Sequence, residues 1–336
     1  MEGQNMANKR PDMTRRAFLR DTAAGVAAAS AISTLASCSK DKPAATGDDS
    51  APMPRRKLGK TNLEVSVLSF GGGSQFLKNE DGQWEPMLER AIEVGINYFD
   101  TSAGYQWGAS TTSEERFGEI LPRYRNRIVL STKFEKREVA DCMKEIETSL
   151  KRLKTDYLDI LLIHSIEPTE DIAAFEKGMY KEMLKLREQG VARHIGFSSM
   201  NSSDKSKELI ETLDLDMAIL AMNPTKYGDF ADVALPAARQ KGIGVVAMKV
   251  MRDIVGKEAS AKELLTYALS QPGVASAVVG HHGMDAFEQN VRLAKTLAAE
   301  PMTANNCRLL ERRLAHLAGA HALCWARSDY YDGMMC

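Results

Sequence analysis

Eight short, largely apolar runs recur along the chain with helix-length amphipathic stretches between them, and this alternation constrains the fold more than any other feature. The runs lie at residues 65–70, 96–99, 128–131, 158–163, 194–197, 217–221, 244–247 and 275–279. A strand with one face in water alternates apolar and polar residues. One covered on both faces does not, so largely apolar runs point to a parallel sheet under helices. Helical patterns at 85–93, 139–153, 171–188, 231–240, 261–269 and 285–298 supply the covers, and Gly95, Gly190 and Gly242 stand where helices need a terminating residue. Eight such units predict a closed (β/α)8 TIM barrel rather than an open doubly wound sheet. An open sheet of that class normally carries Gly-x-Gly-x-x-Gly after its first strand, a spacing that Phe70-Gly71-Gly72-Gly73-Ser74 lacks. Residues 55–67, with Gly59-Lys60-Thr61-Asn62 between apolar pieces, read as a short N-terminal hairpin.

Three successive strand ends carry titratable groups of different kinds. Asn97-Tyr98-Phe99-Asp100-Thr101-Ser102-Ala103-Gly104-Tyr105 ends one apolar run on a carboxylate and places a phenol five residues later. The next two runs lead into Lys133 and His164. Active sites of such barrels lie at the carboxyl ends of the strands, and neighbouring strands are about 5 Å apart, so these groups share one pocket. Each alone has an ordinary structural explanation: an ion pair, a hydrogen-bonded histidine, a ring roofing the barrel mouth. Together, in matching positions on successive strands, they make a proton-donating site for a carbonyl oxygen. A phenol titrates near ~10, and a neighbouring ammonium is expected to lower that value. Asp100 would hold Lys133 and His164 would orient the substrate oxygen. What the set lacks is a hydride source.

The first fifty residues are of another kind. Thr14-Arg15-Arg16-Ala17-Phe18-Leu19-Arg20 precedes a charge-free, Ala-rich run to Ser37 and resembles a twin-arginine export signal. Leu35-Ala36-Ser37-Cys38 resembles a bacterial lipobox, which would lipidate Cys38. The expected layout is therefore a signal segment at 1–38, a flexible linker at 39–54, the barrel at 55–300 and a C-terminal extension at 301–336. Export to the periplasm, with a lipid anchor as the only membrane contact, follows from this reading. A net charge of −1 gives no general attraction for nucleic acid. The five cysteines, at 38, 142, 307, 324 and 336, show no paired close spacing, so neither a disulfide framework nor a zinc site is legible.

Asp100, Tyr105, Lys133 and His164, in the settings quoted and in Ser-Thr-Lys and Leu-Leu-Ile-His-Ser, resemble the catalytic tetrad of the aldo-keto reductases. Asp156-Tyr157-Leu158-Asp159 and Gly190-Val191-Ala192-Arg193-His194-Ile195-Gly196-Phe197-Ser198 extend the likeness, which covers about residues 55–298. The resemblance implies NADP(H), with NAD(H) as the alternative, and a small-molecule carbonyl or alcohol as substrate. It places the cofactor at Gly72, at Ser198 and Ser199, at Met248 where an aromatic commonly stacks, and at Gly280, His281, Gln289 and Asn290. The second of the serines stands where Asn is common, and the glutamine expected near Ile219 is missing. The stretch 280–290 has His281, His282 and Asp285 in place of the Lys and Arg that often hold the adenosine phosphate. In the tail, Trp325 is a candidate, with Trp107, for lining a substrate pocket. Cys324 and Cys336 do not make the four-cysteine run of an iron–sulfur segment, so neither cluster nor metal is expected. A second reading, a cofactor-binding redox sensor or accessory subunit on the same fold, is separated from an enzyme by steady carbonyl turnover.

The export reading has a direct test. Replacing Arg15 and Arg16 together with Lys should leave the precursor in the cytoplasm, and Cys38→Ala should release the domain from the membrane fraction. Unchanged fractionation of both variants would refute it.

Overall fold

In the computed structural model the described residues are 51–106, 108–297 and 301–334. The expected signal segment, Cys38 and most of the expected linker lie outside them, as does Trp107. A hairpin of β1 (Arg55–Lys57) and β2 (Glu64–Ser66) precedes eight parallel strands that close on themselves. These are β3 (Leu68–Gly71), β4 (Tyr98–Asp100), β5 (Val129–Phe134), β6 (Leu158–Ile163), β7 (Ala192–Ser199), β8 (Met217–Ala221), β9 (Gly244–Met248) and β10 (Val274–Val279), with β10 paired to β3. The predicted (β/α)8 barrel is what forms. Strands β5, β6, β8 and β9 are buried along their whole length, which accounts for the largely apolar runs.

The single run expected at 65–70 is two strands. Val67 lies between them, with its N–H on the Pro54 carbonyl and its own carbonyl taken by the Ala277 N–H, so the hairpin ends where the barrel begins. Asn97 joins the two: its side chain accepts from Ser66 N–H at 2.7 Å and donates to the Glu64 carbonyl at 2.8 Å. Of the expected linker, Met53 is buried and packs over Gly95.

The outer helices are α1 (Ser74–Leu77), α2 (Trp84–Glu93), α3 (Ser113–Ile120), α4 (Val139–Arg152), α5 (Ile172–Lys177), α6 (Met179–Glu188), α7 (Ser203–Thr212), α8 (Ala234–Gln240), α9 (Ala261–Ser270) and α10 (Met284–Leu297). The helix expected over 171–188 is broken at Gly178, which closes α5 and opens α6 with a non-helical ψ of −108°. Helices α3 and α7 escaped the periodicity reading, yet α3 has a capping box: Thr112 accepts from the Glu115 N–H while the Glu115 carboxylate accepts from the Thr112 N–H. That Thr-x-x-Glu pattern was available in the sequence.

Beyond the barrel, α11 (Ala304–Leu314) buries Leu310 and Leu314, and the chain then returns across the barrel mouth. Trp325 is fully buried, edge-on to Tyr227 with ring centroids 5.1 Å apart. The loop after β9 fastens this return: Asp253 accepts from the Cys324 N–H at 2.9 Å, and Arg252 donates to the Met334 carbonyl at 2.8 Å. Cys324 is disulfide-bonded, a link that the cysteine spacing did not reveal; Cys142 and Cys307 are free thiols.

Candidate active site

Strand register assembles the site. Asp100 ends β4 opposite Ser131 of β5, whose hydroxyl donates to Asp100 Oδ1 at 2.6 Å. Side chains of a strand repeat with period two, so Lys133 shares the face of Ser131. Its Nζ reaches Asp100 Oδ2 at 2.6 Å and the Thr101 carbonyl at 2.7 Å. Both charged groups are buried, an arrangement that stands only because each satisfies the other; removing one partner of such a pair typically costs about 3–5 kcal/mol. His164 follows β6 directly, with its N–H on the Phe134 carbonyl. Tyr105 lies on the loop after β4, its carbonyl accepting from the Ser113 N–H at the start of α3. Its ring meets His164 edge-on at 5.5 Å, and Lys133 Nζ lies 5.0 Å from the ring centroid. All four residues of the expected tetrad thus stand together.

The structure adds residues the sequence reading missed. Asp332, on the returning tail, is buried between them: its Oδ2 accepts from Tyr105 Oη at 2.9 Å and lies 2.8 Å from His164 Nε2. Its Oδ1 accepts from Lys249 Nζ at 2.5 Å, and from its neighbour's Gly333 N–H at 3.1 Å. On the other side of the imidazole, Nδ1 faces Glu135 Oε1 at 3.0 Å and Ser102 Oγ at 3.1 Å. Glu135 and Lys249 each lie one or two residues past a predicted site residue on the same strand end, a cue that was legible. Asp332, 227 positions from Tyr105, offered none.

A cavity of about 500 Å3 opens from Asp100, Tyr105 and Lys133 toward the loops after β9 and β10. Met248, Gly280, His281, Gln289 and Asn290 line it, as the cofactor expectation requires, and Lys249 and Arg252 add two cations to its wall. His281 is buried there with neither ring nitrogen hydrogen-bonded, between the rings of Phe70 and Phe287. Burial alone pushes its pKa down to about 3, so it is a neutral group with two buried, unspent polar atoms beside the cavity. An elongated, anionic dinucleotide fits such a cleft. Gly72, Ser198 and Ser199 are not among the lining residues. A Cβ on Gly72 would stand 2.3 Å from Ser113 Oγ; Ser198 Oγ accepts from the Ser165 N–H; Ser199 Oγ donates to the Ile166 carbonyl. In this arrangement Gly72 packs against the start of α3, and the two serines hold the loop after β6. Among the described residues no group of three or more His, Cys, Asp or Glu side chains stands together to hold a metal ion.

The family model described as aldo/keto reductase matches residues 67–260. This chain belongs to the aldo/keto reductase family. The uncharacterized oxidoreductase YqkF of Bacillus subtilis is 27% identical over 293 residues, covering 72% of this chain and 91% of that protein. L-galactose dehydrogenase of Arabidopsis thaliana is 30% identical over 215 residues, covering 57% and 63%. The holo form of an aldo-keto reductase from Bacillus halodurans superposes with a TM-score of 0.64 at 22% identity, covering 78% of this chain and 96% of that one, a likeness of fold. As an aldo/keto reductase the protein is an NAD(P)-dependent oxidoreductase, and its reaction is carbonyl reduction.

The electrostatics of this aldo/keto reductase differ in one respect from the sequence expectation. Tyr105 is pushed well above the ordinary phenol value, by burial first and then by the charges of Asp332 and Asp100. The lowering expected from Lys133 is not what prevails: burial comes first, and the tail carboxylate that accepts the phenol's hydrogen bond adds to it. Burial works against charge on Asp332 too, but Lys249 and His164 hold it ionised, well below the usual carboxylate range. For His164, burial disfavours the cation, yet the hydrogen bonds to Asp332 and Glu135 prevail and its pKa is raised. A raised folded value means that its contribution to stability is complete below the unfolded value near 6.5 and disappears as pH climbs through the folded one. The difference in Tm between the parent and His164→Gln should therefore be largest near ~pH 6 and shrink toward ~pH 9. A difference that stays constant or widens over that range would contradict the pairing.

Proposed function

We propose that the protein reduces the carbonyl of an aldehyde or ketone to an alcohol, or runs the reverse reaction, with Tyr105 as the proton donor. The observation that carries this is the convergence of two donors, Tyr105 Oη and His164 Nε2, on a single oxygen position at 2.9 and 2.8 Å, at the inner end of the cofactor cavity. Asp332 Oδ2 holds that position here and stands in for a substrate oxygen. Bound NAD(P)H supplies the hydride. Tyr105 gives its proton to the oxygen that becomes the alcohol. Lys133, fixed by Asp100 and Thr101, places a positive charge beside the phenol as negative charge develops on it. His164, protonated on both nitrogens, gives Nδ1–H to Glu135 and points Nε2–H at the same oxygen. Burial keeps water from competing for these donors.

Tyr105→Phe keeps the ring and removes the proton. Turnover should fall by about 10²–10⁴-fold with cofactor affinity little changed. Near-parental turnover would remove Tyr105 from the role. Cofactor choice follows from charge. Residues 280–290 contain no Lys or Arg, and His281 stays neutral, so a 2′-phosphate gains few charge-assisted bonds, each worth about 1.5–3 kcal/mol. The Kd values for NADPH and NADH, at equal salt and pH, should lie within about tenfold of each other. A preference near a thousandfold would mean that Arg292 or another cation reaches the phosphate.

A further inference from the structure

The barrel mouth contains a second buried ammonium that proton transfer leaves without a task. Lys249 follows directly on β9, its side chain is 8% exposed, and its backbone φ of 56° is one that a non-glycine residue keeps only where its surroundings hold it. Nζ points inward, onto Asp332 Oδ1 at 2.5 Å and Tyr330 Oη at 3.0 Å. The carboxylate therefore bridges two stations. One oxygen takes the Tyr105–His164 position, where the reacting oxygen belongs, and the other rests on Lys249.

A buried ammonium stripped of its counter-ion is costly, so a ligand that displaces Asp332 from Tyr105 is favoured when it also brings an anion to the place that Oδ1 holds on Lys249. We infer that Lys249 is the specificity-determining residue of this aldo/keto reductase, and that its substrates are 2-oxo carboxylic acids, with 2-hydroxy acids as the reduced counterparts. The inference rests on the Tyr105–His164 reading above. A 2-oxo acid presents a ketone oxygen and a carboxylate oxygen side by side in one plane, only slightly farther apart than the two oxygens of Asp332. Its ketone oxygen takes the bonds of Oδ2 and its carboxylate those of Oδ1. The hydride from the bound cofactor forms the new C–H bond at C2, the π bond of the ketone breaks, and its electron pair takes the Tyr105 proton. The carboxylate stays on Lys249 throughout. Room for the substituent exists as well. Asp332 lines both the large cavity and a second of about 110 Å3 bordered by Glu135, Arg137, His164 and Met200, so its displacement would open one toward the other.

Phenylglyoxylate and its methyl ester, a neutral molecule of nearly the same shape, test this on the full chain with NADPH and with NADH. The parent should favour the acid by about tenfold to a hundredfold in kcat/KM, mostly through KM. Lys249→Met should erase that ratio. Because this change leaves Asp332 buried without its cation, Lys249→Met combined with Asp332→Asn is measured beside it and should erase the ratio as well. Asp332→Asn alone removes the internal competitor and should lower KM for the acid. Equal use of acid and ester by the parent, a ratio that survives both Lys249 variants, or loss of acid binding in Asp332→Asn would each overturn the inference. Turnover of the ester without the acid would overturn it and leave the Tyr105 assignment standing. Turnover of neither would remove the carbonyl-reduction reading beneath it.

Discussion

A charge buried in a barrel core must be answered by an opposite charge within hydrogen-bond reach, and the barrel mouth of this protein is built around that requirement. Exposed ion pairs contribute roughly 0–1 kcal/mol, whereas breaking a buried pair by removing one member typically costs about 3–5 kcal/mol. Lys133 meets the requirement through Asp100, on the neighbouring strand and within 2.6 Å. Lys249 meets it through Asp332, and His164 through Asp332 and Glu135. Tyr105 lies where these systems touch, with Lys133 beside its ring and Asp332 on its hydroxyl. The strands set the first pair and the tail completes the second. A strand register wrong by one residue would turn both Lys133 and Ser131 to the outer face of the sheet and leave Asp100 buried without either partner.

What could be read in advance follows the range of the interactions involved. Strand β6 was found with its bounds, and the four tetrad positions with their strand ends, because burial on both faces and a charge at the end of an apolar run are local signals. The break at Val67 is set by Pro54 and Ala277, far apart in the chain, so periodicity ran straight through it. Gly178 shows the limit from another side, since an amphipathic pattern continued across a residue whose backbone ends one helix and starts the next. The Cys324 disulfide and the seat of Asp332 depend on a tail that returns over the barrel, and no spacing rule links residue 332 to residue 105. Ser198 shows a role that the likeness to a family does not announce: its hydroxyl accepts from the Ser165 backbone.

With the tail seated, the same charge balance leaves Tyr105 a poor proton donor. A phenol that donates to an ionised carboxylate is held as a neutral hydroxyl, and burial adds to the effect, so Tyr105 is far from the poise of an efficient acid. A carbonyl oxygen in that place carries no full charge before hydride arrives, and it gains negative charge only as the new bond forms. The site then matches the developing alkoxide rather than a permanent anion, with Lys133 near the phenol and His164 Nε2 on the oxygen, and it is in the transition state that such preorganised donors act most strongly.

Exchange of Asp332 for a ligand is thus governed by what happens at Lys249 more than at Tyr105. A neutral ligand satisfies the phenol and the imidazole, yet it leaves an enclosed ammonium whose nearest remaining partner is the Tyr330 hydroxyl, at 3.0 Å. That residue sits on the same tail, so a displacement of the tail would remove it as well. A ligand with its own carboxylate keeps the ammonium paired and returns to the site the charge that the tail removes. The desolvation cost of the buried cation, already met in the resting protein, then carries over unchanged to the complex. Asp332 also gains in that exchange, because an ionised side chain released from an enclosed pocket recovers its hydration. In the proposed exchange a carboxylate replaces a carboxylate on Lys249, and selectivity would come from the ligands that keep that pairing.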